Sequence, residues 1–484
     1  MASLLVRVVA VLAVAVAAGL AASALLDSGG SSPRLAPGSG QAAGTSDEQV
    51  DPLAYTAGRE DELVAAAARG NAHVLYAKSP GGVRASAART ARYRPLVEAA
   101  AKAAKLDPDM LEAIVLLESA GRPDAIADPR LDGAVGLTQI LAETGSSLLG
   151  MHVDPAGARR IGRSLARAQA RGDGALVARL KARRRSVDER FDPPKALAAT
   201  ARYLTLAHAA LQRDDLAVVS YHMGIGNLQT ALRAYGSDDV SYARLYFDST
   251  PTRHPQAWQA LAKLGDDSST YLWRVLAARD IMRLYRSDPA QLDAISALQN
   301  DKNSAEEVLH PESATEAFAR PDALRAAYDA GRIVPLPRAL LAGHGIRVDV
   351  QMGELAGRLK RSRATYRGLR PEALALLVVL GAGTKELSGQ EPLVVTSTVR
   401  DQRYQDLLLA AGNGEATRNF SLHTTGWAFD ILRSYRSRAQ ALAFEFLLGR
   451  LQSEDLIAWV REPAAIHVTV SAQAKSLLGV LPGG

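Results

Sequence analysis

The 484-residue sequence contains no cysteine. Disulfides, thiolate metal sites, cysteine nucleophiles and an N-terminal lipidated cysteine are therefore excluded. Aromatic residues make up only 5% of the chain, and none of them is interleaved with a basic stripe. That removes the usual sequence footprint of nucleic-acid binding. Charge of one sign is also in short supply: the net charge of +6 is modest for this length and at most suits an anionic polymer.

Hydrophobic residues at 48% and charged residues at 22% give an ordinary globular composition. Ala, Leu and Arg fill the space left by the aromatics, and all three lose little on entering a helix. A chain this long predicts two folded domains with linkers rather than a single core.

The N-terminus reads as an export signal. Residues 1–26 comprise a short segment with Arg7, then an apolar run from Val8 to Leu26. Ala22-Ser23-Ala24 resembles a signal-peptidase site, and the run is near the lower length limit of a membrane span. The segment is either a cleaved signal peptide or a retained inner-membrane anchor. Both put the remainder in the cell envelope, on the periplasmic or secreted side.

Composition then divides the chain. Residues 27–60 form an expected flexible linker, rich in Gly, Ser, Pro and Ala. Helical patterns fill 61–286, with an Arg-rich, solvated insertion from Gly157 to Arg190. Residues 287–332 read as a second linker. From 333 to 474 short β-rich runs appear at Arg347–Val350, Leu393–Thr398, Ala428–Leu432 and Ile466–Val470, among helical segments such as Pro371–Leu380. The expected fold class is thus a mainly α domain followed by a smaller α+β domain.

One carboxylate stands out in the helical part. Asp107-Pro108-Asp109 is a helix start, with a capping side chain, a first-turn proline and an acid at the positive end. Leu111, Ile114 and Val115 mark an apolar face, and Glu118 continues it just before Gly121-Arg122-Pro123 stops the helix. Burial and the negative end of the helix dipole both raise the pKa of such a carboxyl. A proton donor for a glycosidic oxygen needs that property. Spacing alone serves equally a terminal Glu that reaches water or pairs with an arginine.

The surrounding motifs decide between these. Glu118-Ser119, then Gly133-Ala134-Val135-Gly136-Leu137-Thr138-Gln139-Ile140, then Ser220-Tyr221-His222-Met223-Gly224-Ile225-Gly226-Asn227, with Phe191-Asp192-Pro193 between and Tyr271 following, occur in one order. This set resembles the soluble lytic transglycosylase domain over roughly 89–286. Thr138 stands where that family has Met, and His222 where it has Asn. The resemblance implies a lysozyme-like helical fold acting on peptidoglycan glycan strands without a cofactor. It implies that Glu118 first protonates the oxygen between N-acetylmuramic acid and N-acetylglucosamine, then accepts the muramyl C6 hydroxyl proton as a 1,6-anhydro ring closes. Ser119, Gln139, Tyr221 and Tyr271 would orient Glu118 or bind the sugar. A hydrolytic outcome using Asp124, Asp128 or Asp132 as a second carboxylate is the rival.

A second set lies near the C-terminus. Ser421-Leu422-His423-Thr424-Thr425-Gly426-Trp427-Ala428-Phe429-Asp430 resembles the Ser-x-His-x-x-Gly-x-Ala-x-Asp motif of zinc D,D-peptidases that trim peptidoglycan stem peptides. In Ile466-His467-Val468-Thr469-Val470, period-two alternation separates the apolar residues from His467 and Thr469. The resemblance implies a zinc ion (Zn2+) held by His423, Asp430 and His467, with a fourth position open, as catalytic zinc requires. Thr396-Ser397-Thr398-Val399-Arg400 resembles the family's Thr-Ser-Gly-x-Arg, which makes Arg400 a substrate-binding residue. Glu462 is the counterpart of the family's general base, but it stands five residues before His467 where the family has three. The domain is therefore either a peptidase or a module that only binds stem peptides, and a catalytically dead envelope scaffold is the remaining alternative.

Overall fold

The computed structural model describes residues 53–412 and 420–482. The expected signal or anchor and most of the expected first linker lie outside them. No helix among the described residues is long and apolar enough to cross a membrane. The described chain divides into two compact units, one spanning 78–250 and 254–293, the other 53–77, 251–253 and 294–482.

The first unit is helical. The Pro108–Ser119 helix packs against Tyr271–Ser287, Arg94–Ala104 and Val83–Ala91. Its start is as the sequence predicts: Asp107 accepts a hydrogen bond from the Asp109 backbone N–H at 2.8 Å. Leu111 and Val115 meet Val97, Ala101, Leu137 and Leu197 in a dry cluster, where each large apolar side chain contributes about 1.5–3 kcal/mol. Glu112, on the same helix, has no exposed surface and is gripped by Arg94 at 2.9 Å and Arg286 at 2.5 Å.

The Arg-rich insertion forms two helices, Pro155–Ala170 and Gly174–Val187, capped by Asp154 and Asp173. Arg159, Arg160, Arg163 and Arg167 are exposed, as a solvated charged face requires. Arg184 and Arg190 depart from that expectation and are buried.

The second unit is built on a five-stranded sheet. Naming strands in chain order, β1 (Val334–Pro335) pairs with β3 (Gly368–Leu369) in a separate two-stranded ribbon. The main sheet runs β2 (Ile346–Val348), β4 (Leu393–Ser397), β5 (Ala428–Leu432), β7 (Ala465–Val470), β6 (Ile457–Arg461) in spatial order. The β2–β4 pair is parallel and the rest are antiparallel. Phe429 and Ile431 on β5, with Ile466, Val468 and Val470 on β7, enter the core beneath the helices Pro371–Ser388 and Arg438–Ser453. The opposite face of β5 and β7 is then free to carry polar groups.

Two segments fold differently from their expected roles. Glu60–Gly70, read as the edge of the helical domain, packs against the Arg438–Ser453 helix of the second unit. Residues 287–332, read as a linker, carry helices at Pro289–Gln299, Glu306–Leu309 and Pro321–Asp329. Leu292, Phe318 and Leu324 in this stretch are fully buried. Its polar texture hid a few well-spaced apolar anchors.

Candidate active sites

Glu118 lies in the last turn of its helix, partly buried. The chain leaves that helix through Ala120 at φ 53° and Gly121 at φ 71°. A Cβ on Gly121 would come within 2.5 Å of the Thr90 backbone nitrogen, so glycine is required there. Arg89 donates to the Ala120 carbonyl at 3.0 Å, satisfying an orphan acceptor of the helix end.

Tyr271 Oη donates to Glu118 Oε1 at 2.7 Å. Burial pushes the Glu118 carboxyl up to about 7, against the opposing pull of the Tyr271 hydroxyl and the positive Arg274. The group is thus poised to give and take a proton near neutrality. Tyr271 is itself buried, with Tyr221 stacked at 6.4 Å and His222 at 5.2 Å between ring centroids. It is positioned to hold Glu118 rather than to offer a face to a sugar. His222 is exposed and ties its Nδ1 to Ser268 Oγ at 2.8 Å.

The other residues singled out in the sequence brace the site. Ser119 Oγ is buried and donates to the Leu137 carbonyl at 2.7 Å, locking the helix end to the Gly133–Ile140 loop. Gln139 Nε2 donates to the Gly136 carbonyl at 2.8 Å, inside the same loop. Tyr221 Oη donates to the Thr138 carbonyl at 2.7 Å. All three pin the loop beside Glu118.

Sequence reasoning missed Arg190, which holds that loop from beneath. Its five N–H donors are all used: Asp188 takes Nε and one Nη2 bond at 2.9 and 2.8 Å, and the carbonyls of Leu131, Gly133 and Ile140 take the others at 2.8, 3.0 and 3.3 Å. Gly136, at φ 85°, must be glycine because a Cβ would lie 1.9 Å from the Arg190 carbonyl oxygen. Arg190 closes an Arg-rich run, and only the tertiary fold separates it from its exposed neighbours.

Two of the three rival carboxylates are engaged with cations. Asp124 pairs with Lys181 at 2.6 Å and with Arg184, Asp128 pairs with exposed Arg130 at 2.8 Å, and Asp132 is exposed. The two groups that pull the Glu118 pKa down, Tyr271 and Arg274, are not carboxylates.

In the second unit, β5 and β7 set Asp430 directly opposite His467. The short 3-10 turn Leu422–Thr425 brings in His423. One ligand atom from each of His423, Asp430 and His467 lies within 4.8 Å of the others. His423 Nδ1 is 2.9 Å from the Thr398 carbonyl, which can only accept, so that nitrogen carries the proton. In the neutral ring Nε2 then presents a lone pair to Asp430 Oδ1 at 3.2 Å. Two acceptors facing each other favour a cation between them. His467 Nδ1 is 2.9 Å from the same Oδ1.

A cleft of about 800 Å³ opens over this cluster, and Arg400 and Glu462 also line it. Arg400 Nη2 donates to Ser397 Oγ at 2.6 Å and lies 3.6 Å from Asp430 Oδ2. Glu462 sits in the turn between β6 and β7, where its N–H donates to the Ala465 carbonyl at 3.0 Å. Its carbonyl and that of Pro463 accept from Arg433. Sequence reasoning missed Glu306, also on this cleft, whose Oε2 lies 3.1 Å from His467 Nε2.

A carboxyl raised toward neutrality at a helix end, hydrogen-bonded by Tyr271 and braced by the neighbouring loop, suits general acid–base chemistry. Residues 95–159 match the transglycosylase SLT domain family. The matched stretch contains the Glu118 helix and the loop through Gln139, and it supports murein lytic transglycosylase activity in general, with peptidoglycan in the cell envelope as substrate. A search of curated proteins finds no match to the chain.

Proposed function

We propose that this chain is a periplasmic or membrane-anchored murein lytic transglycosylase that cuts the MurNAc-GlcNAc β-1,4 bond and leaves a 1,6-anhydro-MurNAc end. The observation that carries this reading is the Glu118 carboxyl, raised to about 7 by burial and held at 2.7 Å by Tyr271. A single group must donate a proton to the glycosidic oxygen and then take one from the muramyl C6 hydroxyl, and a pKa near neutrality suits both halves. The engagement of Asp124 and Asp128 with cations disfavours a two-carboxylate hydrolysis. Analysis of the ends produced from purified sacculi tests the reading.

For the second unit we propose a zinc site with stem-peptide peptidase activity. His423, Asp430 and His467 form a three-ligand N/O set, and the acceptor-to-acceptor contact between His423 Nε2 and Asp430 Oδ1 fits a bound cation. A bound zinc would supply Lewis-acid polarisation of a peptide carbonyl and of a water. Arg400 on the cleft wall suits a stem-peptide carboxylate. Glu462, at the β6–β7 turn, is the candidate base.

The displacement of Glu462 within that turn, five residues before His467, favours a second reading in which the unit binds stem peptides without cleaving them. Release of D-alanine or shortened stems by the purified chain, lost in Glu462→Ala, distinguishes the peptidase from the binding module.

A further inference from the structure

Glu306 stands 6% exposed, on a short helix within the stretch that the sequence marks as a linker. Its Oε2 lies 3.1 Å from His467 Nε2 and accepts from Thr469 Oγ1 at 3.0 Å. Its other oxygen, Oε1, pairs with Lys302 Nζ at 2.9 Å. Lys302 also donates to the Phe420 carbonyl at 2.9 Å, so the cation on Glu306 is fixed in place. Oε2 is thus shared by the Thr469 hydroxyl and His467 Nε2, which itself lies 3.2 Å from Thr469 Oγ1, and the carboxylate is the charged acceptor on that imidazole nitrogen.

We propose that Glu306 is a positioning residue for the metal centre: it holds the proton on His467 Nε2 and so turns the Nδ1 lone pair toward Asp430 and the ion. The inference rests on the reading of His423, Asp430 and His467 as metal ligands. The two histidines then follow one scheme. His423 gives its Nδ1 proton to the Thr398 carbonyl and offers Nε2, while His467 gives its Nε2 proton to Glu306 and offers Nδ1. A partner on the far ring nitrogen fixes the tautomer of a metal-binding imidazole and raises its basicity, and losing that partner typically costs about 10–100-fold in metal affinity. The segment carrying Glu306 thereby becomes part of the site rather than a tether.

The test is zinc affinity of the full chain, measured by competition with a chromophoric chelator, for the native protein, His423→Ala and Glu306→Gln. One tight equivalent in the native protein, none in His423→Ala and a roughly 10–100-fold weaker site in Glu306→Gln is the expected result. Glu306→Asp, which keeps the charge but shortens its reach, should fall between the native protein and Glu306→Gln. A spectroscopic control uses 15N-histidine labelling of the zinc-loaded chain. The His467 Nε2–H signal should be protected in the native protein and exchange freely in Glu306→Gln, both measured at a temperature where each protein is fully folded. Equal zinc affinity in Glu306→Gln and the native protein overturns the proposal and leaves the metal site standing. No tight zinc in the native protein overturns the metal site, and with it the proposal.

Discussion

The Tyr271 hydroxyl donates to Glu118 Oε1 across 2.7 Å, although 153 residues separate the two in the chain. The bond stabilises the ionised carboxylate and opposes the burial that drives the pKa upward. A hydrogen bond to a charged group is worth about 1.5–3 kcal/mol, or roughly 1–2 pH units of pKa.

Removing that bond therefore has a definite sign. Tyr271→Phe should move the ionisation of Glu118 further above 7, so the alkaline limb of kcat/KM shifts upward by roughly 1–2 pH units. A pH–rate profile on purified glycan strands checks this. An unmoved limb would mean that Tyr271 does not act on the catalytic proton.

The raised pKa also has a stability consequence. Glu118 has its folded pKa above its unfolded value of 4.5, so its ionisation costs stability. The cost is absent below about pH 4, grows as pH rises toward 7 and is constant above it. Glu118→Gln should therefore stabilise the first unit at pH 8 by on the order of 3 kcal/mol and leave it unchanged at pH 4. Denaturant unfolding at the two pH values measures the difference.

Arg190 is the residue on which the loop beside Glu118 depends. Arg190→Ala leaves buried Asp188 without its cation and takes the guanidinium donors from the Leu131 and Gly133 carbonyls, while the Ile140 carbonyl keeps the Val135 N–H at 3.3 Å. Breaking one side of a buried pair costs about 3–5 kcal/mol. Thermal unfolding should show that loss, and glycan cleavage at a temperature where the variant is still folded should fall as the Gly133–Ile140 loop loosens.

The two sites should separate under chelation. Treatment with a zinc chelator should abolish stem-peptide shortening and leave glycan cleavage intact, because the proposed ligands His423, Asp430 and His467 all belong to the second unit. Parallel analysis of peptide and glycan products from one digest reads both. Loss of glycan cleavage on chelation would tie the first site to a metal.

Local features of both sites were legible in the sequence because they obey short-range rules. The Asp107 cap and the apolar spacing through Val115 placed Glu118 in the last turn, and period-two alternation put His467 and Thr469 on the face opposite the core. What escaped was set by distant packing. Arg190 reads as the tail of a charged run, and nothing within that run indicates that Asp188 and three loop carbonyls will surround it. Glu306 lies in a polar stretch and meets β7 only when the chain returns 163 residues later at Thr469. Strand β6, Ile457–Arg461, is not among the β-rich runs that the sequence marks.

The most direct measurement is mass spectrometry of muropeptides released from purified sacculi by the full chain, with Glu118→Gln in parallel. The expected result is 1,6-anhydro-MurNAc ends from the native protein and none from Glu118→Gln. Reducing MurNAc ends from the native protein, or anhydro ends that persist in Glu118→Gln, would contradict a lytic reaction carried by Glu118.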